Sequence, residues 1–155
     1  MKPTPVFRRA QPAEAAALTQ IAFAAKQSWG YPDEWMAEWR ADLTIAPGYI
    51  ESSPVCVAEM AGVAAGFTGL VYAEKQWHLE HLWVQPAWHG RGLGRALFAE
   101  AGRMAGEVGA TELVIKADPN AEAFYRKMGA VRTGVEVYDL LGKIRREVPW
   151  LSYPL

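Results

Sequence analysis

Apolar positions along the chain fall into two patterns, a helical repeat and short runs rich in β-branched and aromatic residues, and together they predict an alternating series of elements. A short strand is expected over Val6–Arg9. Beyond Pro12, a residue suited to a first helical turn, Ala15, Leu18, Ile21, Ala22 and Ala25 recur at helical spacing up to about Gln27. The segment Ser28–Pro32 breaks that helix. Asp33 serves as N-cap for a second one running to about Leu43, with Trp35, Trp39 and Leu43 on one side. Val55–Met60 and Val63–Tyr72 read as a hairpin turned at Ala61-Gly62, and Trp77–Val84 as a strand closed by Pro86.

From Gly90 the pattern turns helical again, with Leu93, Leu97, Ala101, Met104 and Val108 in one stripe and Gly109 as its stop. Leu113–Ala117 reads as a buried strand. Asp118-Pro119-Asn120 opens a short helix in which Ala121, Phe124 and Met128 share a face and Gly129 ends the run. Val131–Leu141 and Arg146–Tyr153 supply the last strands. The order β-α-α-β-β-β-α-β-α-β-β predicts an α/β (α+β) fold with a mixed sheet and helices on its faces.

Composition narrows the function classes. With 155 residues, 51% apolar and 21% charged, the chain is an ordinary globular one, expected to form a single domain over residues 1–155. A chain near this size buries roughly 70% of the surface its unfolded form exposes, so it needs no disulfide or structural metal. The lone Cys56 agrees and suits a reducing cytoplasm. It sits in the apolar run Val55-Cys56-Val57, where a small buried hydrophobe is expected, and no His/Asp/Glu spacing suggests a metal. Sixteen Lys plus Arg against 17 Asp plus Glu leave a net charge of −1, which argues against nucleic acid as a partner. The longest uncharged stretch, between Glu59 and Glu74, is 14 residues, short of the ~20 a membrane helix requires. Met1-Lys2-Pro3-Thr4-Pro5 has no apolar segment behind its positive charge, so no secretory signal is read there and a soluble, cytoplasmic protein is expected.

The chemistry concentrates in Val84-Gln85-Pro86-Ala87-Trp88-His89-Gly90-Arg91-Gly92-Leu93-Gly94-Arg95. A strand runs into a turn with glycines at 90, 92 and 94, and a helix begins inside that turn. Free N–H groups at a helix start, approachable because Cβ atoms are absent, bind anions such as a diphosphate. A P-loop would need Gly-Lys-Ser/Thr where Gly94-Arg95-Ala96 stands, and a dinucleotide fingerprint fails at its last position, which is Arg95 or Leu97. Glycines serving only a tight turn are the competing structural explanation.

The order of elements and His89-Gly90-Arg91-Gly92-Leu93-Gly94 together resemble the GCN5-related N-acetyltransferase (GNAT) family, whose signature is Q/R-x-x-G-x-G/A, with His89 standing where Gln or Arg is usual. Asp118-Pro119-Asn120-Ala121-Glu122-Ala123-Phe124-Tyr125-Arg126-Lys127-Met128-Gly129-Ala130 is similar to that family's N-x-x-A-x-x-F-Y-x-K-x-G-F block, with Ala130 in place of Phe. The resemblance covers about Val6–Leu155 and implies a mostly antiparallel sheet of six to seven strands with helices on both faces. It implies acetyl-CoA as co-substrate, bound by His89, Gly90, Arg91, Gly92, Leu93, Gly94 and Arg95, by Leu82, Trp83 and Val84 along the pantetheine arm, and by Phe124. Asn120 is either a helix cap alone or also a cofactor contact.

The same resemblance puts the general base at Glu80 or, second, His78, and the general acid at Tyr125 near the sulfur. Alternation puts His78, Glu80, Leu82 and Val84 on one side of the strand and Leu79, His81 and Trp83 on the other, where His81 reads as structural. Acetyl transfer needs a neutral amine, and an ammonium of pKa ~10 requires a proton acceptor within reach. Solvated side chains are the competing reading for Glu80 and His78, and core packing for Tyr125.

Trp29, Tyr31, Trp35 and Trp39 gather where the family builds its acceptor pocket, although aromatics at helical spacing also build cores. If they line the pocket, the acceptor carries an apolar or cationic portion. No acidic cluster in the sequence marks a polyamine site, and no basic one marks an acidic substrate. The implied activity is transfer of acetyl to a primary amine of a small molecule or peptide by direct attack, since Cys56 has no base partner for a covalent route. A non-catalytic acyl-CoA-binding regulator is the contrasting reading. Pairing into a homodimer through the last strands also follows from the resemblance.

Overall fold

The structure, a computed structural model, describes residues 4–155; Met1–Pro3, part of the segment read for a secretory signal, lie outside it. The strands are β1 (Val6–Arg9), β2 (Val55–Met60), β3 (Val63–Ala73), β4 (Gln76–Val84), β5 (Glu112–Lys116), β6 (Val131–Leu140) and β7 (Ile144–Pro154). The helices are α1 (Ala15–Gln27), α2 (Asp33–Glu38), α3 (Arg40–Leu43), α4 (Pro47–Ser52), α5 (Leu93–Glu107) and α6 (Glu122–Lys127). Among the described residues all seven strands join one sheet in the order β1-β2-β3-β4-β5-β7-β6, the mixed, mostly antiparallel sheet expected.

Local chemistry explains the elements. Ala61 and Gly62 both adopt positive φ, 52° and 78°, the backbone a tight hairpin demands between β2 and β3. In α1 the buried residues are Ala15, Leu18, Ile21, Ala22 and Ala25, the predicted face. Gly109, at φ 80°, stops the chain after α5.

Two helical expectations change. The helix predicted from Asp33 to Leu43 is two short ones meeting at Trp39, which closes α2 with its N–H on the Trp35 carbonyl and turns its indole inward to 7% exposure. Pro32, not Asp33, takes the N-cap position, and Asp33 and Glu34 instead place negative charge in the first turn. Helix α4 was not predicted. It has six residues and one buried side chain, Ile50, too few for a periodic signal; Pro47 in its first turn was the local cue.

The sheet separates two cores. Val55, Val57 and Phe67 pack with Leu18, Ile21, Met36, Trp39 and Ile50 under α1–α4. Cys56, Leu70 and Leu79 face the other way, against Phe98, Ala101 and Met104 of α5 and Tyr125 of α6. Phe67, Leu18, Leu97 and Leu113 are each 0% exposed, and full burial of such a side chain contributes about 1.5–3 kcal/mol. No helix among the described residues is long and apolar enough to cross a membrane.

One feature of the sheet positions the site. β4 and β5 are its single parallel neighbours, and they are bridged at one residue pair, His78 with Val114. Beyond that pair the β4 edge facing β5 has no ladder. Clefts open there around Trp83.

Candidate active site

The first cleft, of about 380 Å³, lies between the end of β4, the start of α5 and α6. Leu82, Trp83 and Val84 form one wall, and Asn120, Phe124 and Tyr125 the opposite one, while Gly90, Gly92, Leu93, Gly94 and Arg95 close its end. Gly90 and Gly92 hold φ of 74° and 81°, which L side chains adopt only with strain, and Gly92 is the N-cap of α5. The first intrahelical bond runs from the Ala96 N–H to the Gly92 carbonyl at 3.1 Å, and no side chain caps the helix. The main-chain N–H groups of the first turn are therefore left for a ligand, and the helix dipole makes an anion the favoured one.

The second cleft, of about 750 Å³, opens on the β5 side of β4. His78, Glu80, His81 and Trp83 come from β4, Glu38 and Asp42 from α2–α3, and Glu136, Tyr138 and Asp139 from β6. Lys26 pairs with Asp118 at 3.1 Å and Lys116 with Glu136 at 2.5 Å. Glu38, Asp42, Glu80 and Asp139 also line this cleft, and none has an ion-pair partner among the described residues. Against them stands one further cation, Arg146, whose guanidinium lies 5.2, 5.5 and 5.4 Å from the rings of Tyr31, Trp35 and Trp39. The second cleft thus carries an excess of negative charge. This corrects the sequence reading that no acidic cluster is present: the carboxylates come from three separate segments. Trp83 lines both clefts and stands at their junction.

Residues 32–140 match the profile of the acetyltransferase (GNAT) domain. An aminoglycoside N(6′)-acetyltransferase type 1 from Stenotrophomonas maltophilia is 30% identical over 142 residues, which is 86% of this chain and 91% of that protein. The chain belongs to the GNAT acetyltransferase family. It is an acetyl-CoA-dependent N-acetyltransferase. Among solved GNAT structures, a GCN5-related N-acetyltransferase from Rhodopseudomonas palustris is 24% identical, with a TM-score of 0.80 over 100% of this chain and 98% of that one. The yncA protein from Salmonella typhimurium, solved with acetyl-CoA, is 21% identical, with a TM-score of 0.72 over 98% of this chain and 94% of that one. Both show the shared fold.

Within this GNAT chain the residues singled out by sequence distribute as follows. Glu80 is exposed on the second cleft, and His78 lies beside it with Nε2 donating to the Ala73 carbonyl at 3.2 Å. Tyr125 is 8% exposed in the first cleft, and burial pushes its phenol above the usual range. His89 Nε2 donates to the Val84 carbonyl at 2.8 Å, so that nitrogen ties the turn to β4 and is not free for a phosphate. Arg91 packs on Trp88, 4.9 Å from its ring, outside the cleft lining, whereas Arg95 lines it. Asn120 Nδ2 donates to the Tyr31 hydroxyl at 2.9 Å while its main-chain N–H donates to Asp118 at 2.8 Å.

The aromatic group divides. Trp29, 40% exposed, lines the first cleft, 6.4 Å from Trp83. Tyr31 and Trp35 pack against the core outside both cleft linings, and Trp39 lines the second cleft. Cys56 is buried and its thiol is pushed up by that burial, as a packing residue requires. Sequence reasoning missed Trp88 in the first cleft and His81 in the second. His81 is 7% exposed, and burial pushes its imidazole down to about 4.

Proposed function

We propose that this enzyme acetylates a primary amine on a small molecule carrying several amino groups, the amine attacking directly. Acetyl-CoA supplies an acetyl thioester. The N–C bond forms as the C–S bond breaks, and two protons leave nitrogen in all: one goes from the ammonium to the base and on to solvent before attack, and the other goes from the adduct to the departing sulfur. The glycine turn and the first turn of α5 hold the diphosphate through main-chain N–H groups. Main-chain N–H groups of Leu82–Val84 steady the charge that builds on the carbonyl oxygen. Glu80 accepts the ammonium proton, directly or through one water, and His78 is the second group able to do so.

Tyr125 keeps its proton on Oη and donates a hydrogen bond to the departing sulfur. Burial raises the phenol, but it disfavours a thiolate in the same cleft by the same physics, so the gap between pKa ~8.5 and ~10 is preserved in direction.

The observation that carries the acceptor class is the set of Glu38, Asp42, Glu80 and Asp139 along one cleft. The aminoglycoside in the name of the relative from Stenotrophomonas maltophilia supports it. Thiol release measured across aminoglycosides, linear polyamines, monoamines, amino acids and peptide N-termini tests the reading. Acceptors with two or more ammonium groups should give the highest kcat/KM. A preference for acidic amino acids or acidic peptides would contradict it.

A further inference from the structure

On strand β4 the side chains of His81 and Trp83 are hydrogen-bonded to one another, and that bond settles the state of the first. The Trp83 indole Nε1–H donates to His81 Nδ1 at 3.0 Å. Indole nitrogen donates only, so Nδ1 must be the accepting nitrogen. An imidazolium has no accepting nitrogen; the bond therefore requires a neutral ring with its proton on Nε2. The ring is held by Tyr49 and Phe67, at 5.7 and 5.8 Å between centroids, and the Thr68 hydroxyl fixes the main chain by donating to the His81 carbonyl at 2.8 Å. No protein group accepts from Nε2 among the described residues, although His81 is nine-tenths buried and lines the carboxylate-rich cleft.

We propose that His81 is a specificity-determining residue whose Nε2–H, fixed by Trp83, donates to a hydroxyl or carbonyl oxygen of the acceptor near the reacting amine. This rests on the reading that the second cleft takes the acceptor. A protonated Nε2 cannot receive an ammonium N–H, so it does not compete with the carboxylates for the cationic groups. It selects instead for a neutral oxygen among them, and the preferred acceptor class is a hydroxylated polyamine or amino sugar over a plain alkyl polyamine. A buried donor discriminates strongly, because an acceptor lacking the oxygen leaves it unpaired.

Two substitutions separate this role from simple support of Trp83. His81→Asn keeps an oxygen able to accept from Trp83 but has no donor where Nε2 stood. His81→Gln reaches further and restores an amide N–H. The probes are 1,3-diamino-2-propanol and 1,3-diaminopropane, which differ by one hydroxyl, with thiol release as the readout. The wild type should favour the hydroxylated diamine by about tenfold in kcat/KM, His81→Asn should abolish that preference with the KM for acetyl-CoA unchanged, and His81→Gln should recover part of it. Nitrogen-15 spectra of the wild type should show Nδ1 unprotonated.

Equal kcat/KM for the two diamines in the wild type, a preference kept in His81→Asn, or a proton on Nδ1 would each overturn the assignment. Asp139→Asn tells where a failure lies. If it raises the KM for both diamines while His81→Asn leaves the preference intact, only the role of His81 is wrong. If it moves neither KM, the cleft itself has been misassigned and the proposal falls with it.

Discussion

Burial is the main influence on His81, Tyr125 and Cys56. His81 is held near 4 by desolvation, whereas the same group in the unfolded chain titrates near 6.5. Between those values the unfolded chain binds more protons, so the stability tied to neutral His81 is complete above about pH 6.5 and is lost as pH falls toward 4. At about 1.4 kcal/mol per pKa unit, the loss between pH 7 and pH 5 is about 2 kcal/mol. Urea midpoints should fall over that interval, and His81→Asn should flatten the fall; parallel slopes for the two proteins would contradict the assignment.

The proposed catalytic roles belong to this scale too. Glu80→Gln should lower kcat by about a hundredfold or more with the KM for acetyl-CoA unchanged, the usual size of a general-base contribution. Tyr125→Phe should cost about ten- to a hundredfold, the worth of one hydrogen bond to a charged atom. Initial-rate kinetics under chemistry-limited conditions measure both. That Glu80 and Tyr125 would lie at clefts was legible because each sits at a fixed offset from a motif. His81 was not, because alternation groups it with Leu79, whereas the β3–β4 register steps from Gly69–His81 to Leu70–Leu79, leaving Glu80 as an extra residue on β4 and turning His81 and Trp83 toward Phe67, away from Leu79.

Among the elements, α5 carries the strongest prediction, since its glycines do different things. Gly92 needs a left-handed backbone, with φ at 81°, so Gly92→Ala should lower stability by about 1 kcal/mol as well as weaken acetyl-CoA binding. Gly94 is not so constrained: an added Cβ would meet only the Phe124 ring, at 3.6 Å, on the wall of the cleft. Gly94→Ala should therefore leave the melting temperature unchanged or slightly raised, yet weaken acetyl-CoA by tenfold or more in calorimetry. Binding unaffected by Gly94→Ala would argue that the cofactor does not approach this turn. The α5 stripe and the α1 face could be read from sequence because each spans several turns. The break at Trp39 could not, since Trp35, Trp39 and Leu43 keep a helical spacing straight through it, and the Trp39 indole is fixed by tertiary contacts with Tyr31, Lys26 and the core.

For the molecule as a whole, the important arrangement is two clefts meeting at Trp83, with a polar network behind them. The Tyr31 hydroxyl donates to Asp118 at 2.9 Å and receives from Asn120 at 2.9 Å and Arg146 at 3.2 Å, joining the wall of the first cleft to a cation of the second. Tyr31→Phe removes that junction and should cost about 1–2 kcal/mol, read as a fall of roughly 4 °C in Tm. It should also raise the KM for both substrates, whereas a change confined to one would show that the clefts are independent. This scale was the least legible. The mixed sheet followed from the order of elements, but Glu38, Glu80 and Asp139 lie far apart in the chain, on α2, β4 and β6, and only the folded packing of these three elements brings them to one cleft.

On the proposed reading, the unsatisfied start of α5 grips the diphosphate of acetyl-CoA beside Trp83. A crystal structure of the complex tests it most directly. Diphosphate oxygens should lie about 2.7–3.2 Å from main-chain nitrogens of the glycine turn and the first turn of α5, with the sulfur facing Tyr125. A diphosphate bound elsewhere, or held by side chains while those nitrogens face solvent, would contradict it.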